Sequence, residues 1–130
     1  MKVLKIKIVR FALSTILLVF AGLQLNDPDP WRWVFLYGVA LVMGVMGSST
    51  QNPLRVGVSV LYVLWAYCRF PTEYHGVGDM SEFQPEIEEA REAFGLLIAS
   101  AINATNIWLF TMEDRLRTMH HKKTKCDDAQ

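Results

Sequence analysis

Two short polar stretches adjoin the long apolar runs of this chain of 130 residues, and their side chains are the ones best placed to do chemistry. The first is Gln24-Leu25-Asn26-Asp27-Pro28-Asp29-Pro30-Trp31-Arg32-Trp33; the second is Glu88-Glu89-Ala90-Arg91-Glu92. Amides bind by donating and accepting hydrogen bonds, while carboxylates hold cations or move protons. Glu88 and Glu92 are i and i+4, on one face of a helix, where like charges disfavour each other. Exposed to water such a pair is ordinary; turned inward it shares a proton or a cation. Asp27 falls at the C-terminal end of a helix, where a negative charge opposes the dipole and needs a cation. Arg32, Arg91 and a bound metal or proton are the candidates. Gln24, Asp27, Arg91 and Glu92 are therefore expected to converge on one polar pocket, with Asp27, Glu88 and Glu92 as candidate metal ligands. No residue is assigned a catalytic role and no cofactor is implied. His75 stands alone in a glycine-rich loop, and His120-His121 sits in a polar tail.

The remaining polar residues of the first stretch have a mechanical explanation. Asp29-Pro30 reads as an N-cap followed by proline at the first helical position. Asn26-Asp27-Pro28 reads as turn initiation, with Asp27 held extended by the proline. Pro28, Asp29 and Pro30 are thus assigned to a structural hairpin.

The elements that must position these groups follow from where charge is absent. The chain has 13 basic and 13 acidic residues, but none falls within 11–26, 33–54, 56–68 or 93–112. A soluble helix shows a charged face every turn or so, and a membrane-spanning one needs roughly 20 mainly apolar residues. Four spans are expected, at about 8–26, 31–48, 54–70 and 90–112, with Lys7, Arg10, Arg55 and Arg69 snorkelling to the interfaces. Phe11, Trp31, Trp33, Trp65, Tyr67, Phe70 and Trp108 lie near the ends, as an aromatic belt requires. The expected fold is an all-α integral membrane four-helix bundle over residues 1–117, followed by a polar, unstructured cytoplasmic tail at 118–130. Pro85 is expected to open the last helix. Small and polar residues recur at helical spacing in each span: Ser14, Leu17, Ala21 and Gln24; Tyr37, Ala40, Gly44 and Gly47; Ser59, Tyr62, Ala66 and Arg69; Glu88, Glu92, Gly95, Ala99, Asn103 and Asn106. Membrane helices pack through such stripes, so these should face inward.

Orientation follows from Lys and Arg, ten on the side of the two termini against three on the other. Both termini are expected to be cytoplasmic in a multi-pass protein, with nine acidic residues giving the opposite face an acidic character. The zero net charge offers no field for nucleic acid, so the expected partners are the lipid bilayer and a membrane protein or a second copy of the chain. Cys68 and Cys126 form no C-x-x-C, which argues against thiol-redox chemistry and for two unpaired thiols. The N-terminal Lys2–Phe20 pattern shares the basic and apolar regions of a signal peptide, yet Val19-Phe20-Ala21 is a poor small-x-small cleavage site.

Gln24-Leu25-Asn26-Asp27-Pro28-Asp29, with Trp31 or Trp33 and Tyr37 after it, resembles the Q-x-N-D-P-D…W…Y signature of the transmembrane family 220 helix proteins. Glu89, with Arg91-Glu92-Ala93-Phe94-Gly95 after it, resembles that family's second polar patch. The resemblance implies a small multi-helix membrane protein without an established activity, and it adds Asn26 to the candidate ligand-binding residues. The expected function is a non-enzymatic binding or accessory protein whose outer-facing pocket takes a cation, proton or small polar ligand. The alternatives are a membrane enzyme acting on a lipid or quinone-like substrate through Asp27 and Glu92, and a structural subunit of a membrane complex.

Overall fold

A computed structural model describes residues 2–26, 29–46, 49–72 and 85–127. Four α-helices follow one another: α1 (Lys2–Leu23), α2 (Pro30–Val45), α3 (Asn52–Arg69) and α4 (Pro85–Asp127). Short 3-10 turns occupy Gln24–Asn26 and Ser49–Gln51, and no strand occurs among the described residues. Prolines fall in the first turn of α2 and of α3, where a missing N–H costs nothing, and Pro85 opens α4 as the sequence predicts. Asp29 stands at the N-cap position of α2, but its carboxylate makes no cap hydrogen bond. It pairs instead with Arg32 at 2.8 Å, an exposed i,i+3 ion pair.

Two helices are long and apolar enough to cross a membrane, over Val3–Leu23 and Ile87–His121. Pro30–Val45 is apolar but shorter, and α3 is more amphipathic. Beyond Arg117, where an unstructured tail is expected, α4 continues as helix to Asp127; Lys125 in its last turn suits the negative end of the dipole. The Gly47-Ser48 turn and the loop carrying His75 lie outside the described residues.

α4 is the element the other three share, since α1, α2 and α3 all pack on it, while α1 and α2 also pair closely with each other. The buried faces are the stripes of small and polar residues: Ser14 and Leu17; Tyr37, Ala40 and Gly44; Tyr62 and Ala66; Glu92, Gly95, Ala99, Asn103 and Asn106. Two glycines let helices approach. A methyl group on Gly95 would collide with the Tyr37 hydroxyl, and one on Gly44 would stand 2.8 Å from both Ser14 Oγ and Asn106 Nδ2. Phe20 meets the Tyr37 ring edge-on, with centroids 5.8 Å apart. The Tyr62 hydroxyl donates to the Leu36 carbonyl at 2.5 Å, and Ser100 Oγ donates to the Ser59 carbonyl at 3.1 Å, tying α3 to α2 and to α4. The outward faces carry large apolar side chains such as Phe11, Phe35, Leu61 and Trp108.

Three sequence expectations are corrected here. Trp33 is fully buried and belongs to the core, not to an aromatic belt, whereas Trp31 is 78% exposed. Arg10 and Arg55 do not snorkel outward but are buried against other helices, at 8% and 0% exposure. Carbonyl acceptors at the end of α2 lie within reach of both guanidiniums and hold them there.

Candidate functional sites at the two ends of the helices

The close contact of Ser14, Gly44 and Asn106 gives a common level from which the helices can be followed. At about 1.5 Å per residue, Gln24 lies roughly 15 Å along α1 from Ser14, Trp33 about 16 Å along α2 from Gly44, and Glu92 about 21 Å along α4 from Asn106. All three therefore reach the end of the molecule where α1 hands over to α2. Helical side chains lean toward their own N-terminus, which carries Trp33 and Glu92 further toward that end. Arg69, the last residue of α3, arrives there too: its Nη2 is 2.7 Å from Glu92 Oε2. Asp29, Arg32 and Glu88 are near enough to act on the Glu92 charge.

The polar atoms at this end are unequally served. Glu92 is buried to 7% exposure in its side chain, and its contact with Arg69 falls short of hydrogen-bond alignment. Gln24 Oε1, Trp33 Nε1 and Arg69 Nε are buried with no hydrogen-bond partner among the described residues. One acceptor and two donors thus lie at the same end of the molecule as the ion pair. A buried polar group without a partner costs about 1–3 kcal/mol, so each of these atoms is held at a cost to stability. Phe70 and Phe94 meet edge-on at 6.0 Å, joining the end of α3 to the first turns of α4.

Of the residues singled out from sequence, Gln24 and Glu92 share this end. Arg91 is half-buried and engaged in an interaction of its own, and the cation facing Glu92 is Arg69. Glu88 is half-buried; the side chain of Asn26, and Asp27 and Pro28 altogether, lie outside the described residues. Among the described residues no group of three His, Cys, Asp or Glu could hold a metal ion.

Midway, Ser14 Oγ and both amide atoms of Asn103 and of Asn106 are buried, again without a hydrogen-bond partner among the described residues. They form a polar layer between the two ends.

The opposite end holds a second constellation, which the sequence reading missed. α2 ends here, and its last carbonyls have no partners within the helix. Arg10 donates from Nε to Gly44 O at 3.3 Å and from Nη2 to Gly44 O and Val45 O at 3.1 and 3.2 Å. Arg55 donates from Nε and Nη2 to Met43 O, each at 3.1 Å, and from Nη2 to Met46 O at 3.1 Å. Two guanidiniums thus close the negative end of one helix dipole. Both also stack on the Phe110 ring, 3.4 and 3.9 Å from its centroid. Arg10 Nη1 donates to Glu113 Oε2 at 2.9 Å, and Glu113 Oε1 accepts from Arg117 Nη2 at 2.6 Å. Nearby, Ser49 donates to Asp114, and Asn52 Nδ2 donates to Thr111 Oγ1 at 3.1 Å. The signal was present: one more helical step takes the α1 stripe from Ser14 to Arg10 and the α4 stripe from Asn106 through Phe110 to Glu113.

Residues 16–108 match the family model described as transmembrane family 220, helix. The match covers both polar stretches and every helix at least in part. Comparison with curated proteins and with solved structures returned no match.

Proposed function

The chain belongs to transmembrane family 220, and from that membership and the geometry above we propose that it is a multi-pass four-helix bundle with both termini in the cytoplasm, binding a small polar ligand at its outer end. The supporting observation is that Gln24 Oε1, Trp33 Nε1, Arg69 Nε and Glu92 Oε2, at the same end of the helices, are buried without a hydrogen-bond partner among the described residues, while Arg69 faces Glu92 as an ion pair. Buried donors and an acceptor at one end favour a small molecule with both characters, or a carboxylate-bound proton, over a bare metal ion. Asp27, three residues after Gln24 in the sequence, is proposed as a further ligand-binding carboxylate. The excess of Lys and Arg at the terminal end supports the orientation. A binding or accessory role fits better than catalysis, because no nucleophile or cofactor motif accompanies the carboxylates.

The test is the thermal stability of the purified protein in detergent, across pH and with divalent cations and small polar solutes added. Stability is expected to rise with one of these and to lose that response in Asp27→Asn and Glu92→Gln. A parent protein indifferent to all of them would sink the reading.

A further inference from the structure

The terminal end carries a recess of about 330 Å³ opening between the start of α1, the end of α2 and the cytoplasmic half of α4. Its walls include Lys7, Arg10 and Arg117 with a single carboxylate, Glu113, and its lip includes Phe11 and Val45. Three cations against one anion leave a formal surplus of two positive charges. Glu113 is already divided between Arg10 and Arg117. Lys7 has no ion pair among the described residues, and Arg117 commits Nε and Nη2 to Glu113 while Nη1 makes no further bond among them. The end of α2 would ordinarily repel an anion, but its Gly44 and Val45 carbonyls are covered by the Arg10 guanidinium. The floor is therefore a fixed cation and not a row of bare oxygens. Beside it, Phe11 is 69% exposed and Val45 50% exposed, an apolar lip at the level where a lipid headgroup meets its chains.

We propose that this recess is a phosphate site occupied by the headgroup of an acidic phospholipid, with Lys7 and Arg117 as the recognising cations and Phe11 and Val45 against the acyl region. Arg10 and Glu113 serve as its rigid base and are not free to exchange partners. Acidic lipid is enriched in the cytoplasmic leaflet, which is the leaflet the terminal end meets in the proposed orientation. The site does not depend on what binds at the other end of the molecule.

Native mass spectrometry of the full chain, released from mixed micelles of phosphatidylglycerol and phosphatidylcholine, tests this directly. The parent should retain one phosphatidylglycerol in preference to phosphatidylcholine. Lys7→Gln or Arg117→Gln should each cut that preference about fivefold and the double variant about 25-fold, from the usual contribution of one basic residue near an anionic surface. Lys7 is exposed and has no ion pair among the described residues, so Lys7→Gln should leave far-UV circular dichroism and the melting temperature at parental values; Arg117→Gln removes one partner of the buried Glu113 and should keep the parental far-UV spectrum with a lowered melting temperature. No preference in the parent, or an undiminished preference in the double variant, overturns the proposal. Adding inorganic phosphate separates the sources: lipid retention unaffected at millimolar phosphate supports a lipid site, and displacement at equal concentration assigns the recess to free phosphate instead.

Discussion

At the scale of single residues, the unpartnered amide of Gln24 makes the sharpest case. Its Oε1 is buried without a hydrogen-bond partner among the described residues, as are the Trp33 indole N–H and the Arg69 Nε at the same end of the molecule. Natural proteins keep such groups where function requires them, at a cost to stability. Gln24→Met keeps the side chain's length and removes the unmet Oε1. It is expected to raise stability by about 1 kcal/mol, the lower end of the penalty for an unsatisfied buried group. Denaturation in detergent would show a higher melting temperature for Gln24→Met together with loss of the ligand response. A lower melting temperature would mean that the amide is tied to the rest of the hairpin and that its role is structural. Glu92→Gln should go the other way, because it strips Arg69 of its counter-charge at a side chain only 7% exposed. Gln24 and Glu92 were legible in the sequence, since each continues an inward stripe. Arg69 also closed such a stripe, but its position at a helix end invites the snorkelling interpretation, and only the tertiary contact shows it turned toward Glu92. Trp33 was misplaced for a related reason. Amphipathic aromatic residues at helix ends serve equally as interface anchors and as core residues, and the neighbours that decide between them come from distant parts of the chain.

At the scale of elements, close approach between helices is what the small residues provide. α2 meets α4 where Tyr37 lies over Gly95, with Phe20 of α1 edge-on to the same ring. Gly95→Ala would place a methyl group onto the Tyr37 hydroxyl and is expected to cost about 1–3 kcal/mol, the range for overpacking a tight core. In a Tyr37→Phe background the hydroxyl is gone and the nearest remaining ring atom is 3.3 Å away, so the same substitution should cost markedly less. A double-mutant cycle on thermal or denaturant unfolding measures the coupling; additive effects would show that the two helices separate there in solution. Gly44→Ala offers a contrast, because Ser14 and Asn106 present flexible polar ends 2.8 Å from the new methyl group and can rotate aside. Sequence periodicity carried these faces well: Ser14, Leu17, Tyr37, Ala40, Gly44, Tyr62, Ala66, Gly95 and Ala99 are all buried. It carried the helix limits less well. Charge marks where a membrane span ends, not where a helix ends, and α4 continues as helix through Arg115, Arg117 and Lys125. The capping of α2 by Arg10 and Arg55 escapes any local pattern, since it pairs side chains of two other helices with backbone carbonyls.

At the scale of the whole molecule, α4 decides the geometry. Its 43 residues span about 65 Å at 1.5 Å per residue, roughly twice the hydrocarbon thickness of a bilayer. It must project beyond the membrane. In the proposed arrangement the apolar part, 93–112, sets the bilayer level, which would put Glu92 and its Arg69 partner at one interface and Glu113 with Arg10 and Arg117 at the other. Two ion pairs therefore bracket a polar but uncharged middle formed by Ser14, Asn103 and Asn106. Charges held at both interfaces by partners on other helices resist sliding of α4 along its axis, because a shift of one turn would draw one pair into hydrocarbon. The same bracket makes orientation testable with few changes. In a Cys68→Ser background, Cys126 near the end of α4 reports the terminal side; Thr72→Cys, with Cys126 also replaced, reports the side of the hairpin. With both termini in the cytoplasm, a membrane-impermeant maleimide applied to intact cells should label Thr72→Cys, and it should label Cys126 only after permeabilisation. The reverse pattern would invert the protein, placing the Gln24 and Glu92 pocket inside the cell and the basic recess outside, where acidic lipid is scarcer. Labelling of both positions in intact cells would mean that α4 does not cross the membrane between them, against the single crossing that the charge distribution requires there.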